Sequence, residues 1–132
     1  MSNTLFLRRI LALDSLSCLA MGLLMGIGAA GLAPLFGLPE PLLRFAGLAL
    51  LPLAAFIGWL ATRPNPPRAL VLVVILGNVA WTVESFITLG QMQATALGTA
   101  FVTAQAVAVL GLACLEYLGL RKAAPVAGGS YS

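Results

Sequence analysis

Residues Ala69 to Gly77 read ALVLVVILG, nine positions without a polar side chain on any face. A helix at the surface of a water-soluble bundle carries a polar stripe that recurs every turn. This stretch has none, so its surroundings are apolar on all sides. It lies within a longer run, Pro67 to Leu89, and three comparable runs occupy Phe6 to Leu32, Pro41 to Thr62 and Thr95 to Leu120. At a rise of ~1.5 Å per residue, each is long enough as a helix to cross a hydrocarbon core ~30 Å thick. The sequence therefore predicts an all-α, integral membrane four-helix bundle, folded as one domain over residues 1–122. A small-residue tail, Ala123 to Ser132 (AAPVAGGSYS), is expected to be flexible.

Composition agrees. The chain is 61% hydrophobic and only 8% charged, where a soluble domain averages ~25% charged. The formal charge of +3 does not point to nucleic acid, because the bases sit singly or in pairs at span ends. Aromatic and basic residues do not interleave as a nucleic-acid surface requires. Arg8 and Arg9 precede an apolar stretch, which invites a signal-peptide reading. That stretch exceeds the 7–15 residues of a typical signal core, and Asp14 interrupts it, so the first helix is expected to be retained.

Three brief connections, Ala33–Glu40 (APLFGLPE), Arg63–Pro66 (RPNP) and Gly90–Ala94 (GQMQA), join the spans. Connections this short make successive helices antiparallel, an up-down-up-down order. Arg8, Arg9, Arg63, Arg68, Arg121 and Lys122 then fall on one side, with Arg44 alone toward the other. Basic residues favour the cytoplasmic side, so both termini are expected in the cytoplasm, in a bacterial inner membrane.

The chain has no histidine. Histidine-ligated haem, Ser-His-Asp triads and the usual zinc hydrolase sites are thereby excluded. Cys18 and Cys114 lie in different spans at different depths and read as small packing residues. No cofactor and no metal site are expected, and a membrane-embedded enzyme is the weakest reading because no nucleophile–base pair or cofactor motif appears.

Ionisable groups within spans are where function is sought, because each costs ~2.5–3.5 kcal/mol or more when unpaired at the bilayer centre. Asp14 lies ~13 Å inside the first helix by its rise. It shares a helical face with Cys18, Gly22, Met25 and Ala29, and Gly22 and Gly26 form a GxxxG pair suited to close packing. Asp14 is thus expected to point into the bundle, as a proton- or cation-binding group or as the partner of Arg8, Arg9, a nearby serine or a neighbouring helix. Arg44 and Glu84 lie at similar depths in the second and third spans and are expected to pair. Glu116 is expected near the cytoplasmic surface with Arg121 and Lys122, or with Arg8 and Arg9. Asn78 and Gln105 are expected to share an interhelical amide bond. Ala100, Ala104 and Ala108 on the fourth span, and Ala54 and Gly58 on the second, are expected to form further close-packing faces.

The span count and an acid in the first helix match small multidrug-resistance exporters, but the sequence pattern around that acid is missing. The Phe- and Thr-rich motifs of four-span fluoride channels are missing too. The residues fit two roles in a lipid bilayer. One is a structural or accessory bundle that self-associates or joins a larger membrane complex. The other is a small oligomeric transporter or channel that uses Asp14 or Glu84.

Overall fold

The computed structural model describes residues 4–123 as four helices, α1 (Thr4–Phe36), α2 (Glu40–Thr62), α3 (Arg68–Gln91) and α4 (Ala96–Ala123). All four are long and apolar enough to span a membrane, and there is no strand among the described residues. Most of the tail expected to be flexible lies outside them. Between 22% and 28% of each apolar window is buried within the chain. The outward surface includes Ile27 at 78%, Phe45 at 73% and Leu76 at 66% exposure. Side chains of this kind turned outward on every helix call for lipid rather than water.

The first helix runs four residues past its expected end, through Pro34. A proline here removes the bond its own nitrogen would have made and crowds the carbonyl four residues back, and the helix ends within one turn of it. The stop comes at Gly37, whose φ of 70° is left-handed. The amides of Gly37 and Leu38 both donate to the Ala33 carbonyl, at 2.9 and 3.3 Å, closing the helix as a glycine cap does.

Contacts at the two ends set the arrangement. At one end, Thr4 Oγ1 donates to the Pro64 carbonyl (2.8 Å) and Arg8 Nε to that of Ala61 (3.1 Å). A β-carbon on Gly119 of α4 would lie 3.0 Å from Leu7 Cα. This basic end therefore gathers the start of α1, the α2–α3 turn and the close of α4. At the far end, Thr95 donates its amide to Phe36 O (2.9 Å) and its hydroxyl to Leu35 O (2.6 Å). Thr95 Oγ1 also accepts from the Gly98 amide at 3.0 Å, an N-cap for α4.

The tightest crossing joins α1 to α2. A β-carbon added to Gly47 would meet the backbone nitrogen of Gly26, Met25 C at 2.8 Å and Gly22 O at 2.9 Å. The expected GxxxG face is thus used, and it packs on a glycine of α2. Ala54 and Gly58 also face α1, where Ser15 donates to the Ala54 carbonyl at 2.7 Å and sits against Gly58. Helix α4 packs on both α1 and α3, whereas α2 and α3 barely touch. Sequential helices on a short turn were expected to be neighbours. Five residues, Arg63–Pro67, three of them proline, hold these helix ends apart, while the glycine contact draws α2 onto α1. A gap between α2 and α3 results.

The alanine row expected to pack on α4 is not buried. Ala100, Ala104 and Ala108 are exposed, and the inward stripe is Gly98, Val102, Ala106, Ala113, Glu116 and Leu120. On a helix apolar all round, composition does not distinguish the packed face from the lipid face.

Candidate functional site

Asp14, Asn78 and Glu116 come together in the interior from three helices. Asn78 Nδ2 donates one hydrogen to Asp14 Oδ2 at 2.8 Å and the other to Glu116 Oε1 at 2.9 Å. Asp14 is 1% exposed and Glu116 is fully buried. The Cys18 thiol, one turn along α1, donates to Asp14 Oδ1 at 3.6 Å. Thr82, one turn beyond Asn78, donates to the Asn78 and Ala106 carbonyls at 3.0 and 3.2 Å. This ties the α3 backbone to α4 beside the cluster.

The geometry corrects two expectations and explains why. Glu116 does not reach for Arg121 or Lys122. Side chains on a helix lean toward its N-terminus, and α4 begins at the far end. Glu116 therefore leans away from the basic end, into the bundle. Asp14 and Asn78 sit on helices that begin at the basic end and lean the opposite way, so the three groups converge. Asn78 and Gln105 do not bond to each other either. The α3–α4 hairpin sets Gln105 opposite Trp81, about one turn from Asn78. Trp81 Nε1 donates to Gln105 Oε1 (2.9 Å), and Gln105 Nε2 donates to Ser85 Oγ (3.0 Å) and to the Val102 carbonyl (3.1 Å).

The expected Arg44–Glu84 pair is likewise replaced. Arg44 pairs with Glu40, one turn back on its own helix, at 2.6 Å. Glu84 is exposed, and the gap between α2 and α3 keeps the two apart. Arg44–Glu40 is the only ion pair among the described residues. Neither Asp14 nor Glu116 is bonded to a base.

Hydrogen bonding leaves one atom unmatched. The two carboxyl groups present four oxygens, three of which receive a donor from Asn78 or Cys18. Glu116 Oε2 is buried and has no donor.

A cavity of about 450 Å³ adjoins the cluster, and all four helices contribute to it. Asp14, Cys18 and Asn78 line its wall, with Trp81 and Gln105 beyond them. Leu53 of α2 and Val73 of α3, which line it from either side of the gap, are 44% and 56% exposed. A second cavity of about 270 Å³ lies toward the far end, lined by Glu84, Ser85 and Thr88 among others, and it shares Trp81 and Gln105 with the first. The indole–amide bridge thus stands where the two cavities meet.

Among the described residues, no three His, Cys, Asp or Glu side chains are grouped to hold a metal ion. Cys114 is exposed and Cys18 half-buried, both as free thiols. Sequence reasoning took Cys18 as packing and gave Trp81 and Ser85 no partners. The four-residue spacings Asp14–Cys18 and Trp81–Ser85 were the available signals, since such positions meet on one helical face. Comparison with protein-family models, curated proteins and solved structures finds no match to this chain.

Proposed function

We propose that this chain is a small multi-pass membrane carrier in which the Asp14–Asn78–Glu116 cluster takes up and releases a proton or other cation beside the cavity. One observation carries the reading. Two carboxyl groups share a single amide inside a lipid-facing bundle, with no base bonded to either. Uncompensated negative charge in a medium of low dielectric is expensive. The cluster's charge balance is therefore supplied by protons or by a bound cation. A cluster built for stability alone would do better as packed apolar side chains.

The helices run up-down-up-down, with both termini and the α2–α3 turn in the cytoplasm. Six of the seven bases lie at that end. Arg63 stacks over Trp59 at 5.3 Å, Arg121 over Tyr117 at 5.9 Å and Lys122 over Phe6 at 4.7 Å. Such pairs suit a headgroup layer, and excess basic charge favours the cytoplasmic face.

Infrared difference spectroscopy in reconstituted bilayers tests the central point. The wild-type protein is expected to show the carbonyl band of a protonated carboxyl, and Asp14→Asn or Glu116→Gln to remove or shift it. A spectrum without that band at every pH where the protein stays folded, in medium free of small metal cations, would overturn the reading. A second reading, self-association or docking in a larger complex, is favoured by the exposed alanines Ala100 and Ala104. Small residues let helices approach closely. Mass measurement in native lipid discs distinguishes an assembly from a lone protomer.

A further inference from the structure

The geometry points to a binding site for one anionic phospholipid, with an acyl chain in the gap between α2 and α3 and the phosphate on Arg63 at the basic end. The inference stands apart from the proton reading of the Asp14–Asn78–Glu116 cluster, because it uses only the shape of the gap and the charge at its two ends.

The gap selects hydrocarbon. It opens sideways, since α2 and α3 barely touch and the exposed residues Leu53 and Val73 of the cavity wall stand on its two sides. The polar side chains of the inner wall bond one another. Both Asp14 oxygens accept donors, both Asn78 amide hydrogens are donated, and Trp81 bonds Gln105. A polar ligand at this depth competes with bonds already made, whereas a hydrocarbon chain disturbs none. An empty space of about 450 Å³ deprives its walls of dispersion contacts. Lipid tails are the hydrocarbon that surrounds it.

Charge selects the headgroup and the direction in which the lipid stands. Phe56 lines the cavity from α2, its ring stacks on Trp59 at 6.4 Å, and the Arg63 guanidinium lies over Trp59 at 5.3 Å. This track leads from the cavity to a cation seven residues on, ~10 Å of helical rise. The tails of one leaflet span ~15 Å, half of a ~30 Å core. A phosphate at Arg63 therefore lays its acyl chain along Phe56 and into the cavity. The one ion pair among the described residues is Arg44–Glu40, so Arg63 has no carboxylate partner among them. The second cavity, lined by Ala49 of α2 and Glu84 of α3, carries an acid at the far end of the gap and repels an anionic headgroup there. Phosphatidylcholine brings its own ammonium group beside the phosphate, and so gains less from Arg63 than phosphatidylglycerol does.

The test uses the full chain in lipid discs with Trp59→Phe, which keeps a ring on the track and leaves Trp81 of the cavity wall as the one tryptophan. A small fraction of the lipid is brominated toward the methyl end of its tails, as phosphatidylglycerol or as phosphatidylcholine, and quenching of Trp81 reads occupancy. At equal mole fraction phosphatidylglycerol is expected to quench about fivefold more strongly, the preference that one basic residue at an anionic surface supplies. Arg63→Gln should abolish that preference. Gly77→Leu fills the space, because Gly77 lines the cavity and a β-carbon there meets nothing within 4 Å. It should bring quenching by phosphatidylglycerol down to the phosphatidylcholine level. Gly31→Leu, equally unobstructed but lining neither cavity, should change nothing. Equal quenching by the two lipids, or quenching indifferent to Gly77→Leu or to Arg63→Gln, would overturn the assignment. So would reversal by glycerol phosphate in solution, which would make Arg63 a site for free phosphate. A dimeric mass with neither lipid quenching Trp81 would put a second copy in the gap and overturn it too.

Discussion

Replacing Asn78 by alanine removes the one side chain among the described residues that hydrogen-bonds to both buried acids, so its cost measures how far the cluster depends on a shared amide. Two interhelical bonds are lost, at 2.8 and 2.9 Å. Interhelical hydrogen bonds in membranes are worth ~0.6 kcal/mol on average and ~1.7 at most, which sets about 1–3 kcal/mol for the pair. Asp14 Oδ2 and Glu116 Oε1 are then left without donors in the interior, where an unsatisfied polar atom costs ~1–3 kcal/mol. Part of that is recovered if the acids turn to each other, so the net loss is expected at about 2–4 kcal/mol. Reversible unfolding in lipid–detergent mixtures reads it directly. A double-mutant cycle with Glu116→Gln should be non-additive by ~0.5–3 kcal/mol, as expected for residues in one network. A loss below about 0.5 kcal/mol, or simple additivity, would refute the claim that Asn78 holds the two acids together.

Other substitutions test the frame around the cluster. Gly47→Ala drives a methyl group into the backbone of α1 at Gly22, Met25 and Gly26, and overpacking of this kind should cost about 3 kcal/mol or prevent folding. Gly31→Ala, where nothing lies within 4 Å, should by contrast gain ~0.5–1 kcal/mol from helix propensity. Thr95→Ala removes the α4 cap and the bond to Leu35 O, and thermal unfolding should register ~1–2 kcal/mol. Arg44→Ala breaks an ion pair whose side chains are 43% and 41% exposed. Its effect should stay within ~0.5 kcal/mol, and a larger loss would mean that the pair is shielded from water.

Four spans and their approximate limits were legible because hydrocarbon thickness dictates length and composition together. The inward face of α1 was legible too. Asp14 marked it, and steps of three and four lead to Gly22, Met25 and Ala29, which are buried, and to Cys18, which is half-buried. The same procedure starting from Glu116 leads to Leu112, Ala113, Ala106, Val102 and Gly98, all buried. The nearness of Glu116 to Arg121 and Lys122 in the sequence points instead to a surface pair. The lean of side chains toward a helix's start, rather than distance to the nearest base, decides where such a carboxyl goes. On α4 the alanine repeat misled for a related reason, since small residues suit lipid as well as helix contacts. The gap between α2 and α3 had no signature in either helix. It follows from the proline turn and from a glycine contact made elsewhere, both of which act only once the chain is assembled.

The decisive measurement compares the stability of the wild-type chain with that of one carrying Asp14→Leu, Asn78→Leu and Glu116→Met together. A buried polar network kept for binding is often matched or exceeded in stability by apolar side chains of similar volume, by up to ~1–4 kcal/mol. The triple variant should therefore unfold no more easily than wild type while losing the protonated-carboxyl band. If it unfolds as readily as Asn78→Ala alone, the three residues are scaffold, and the proposed role of the cluster is wrong.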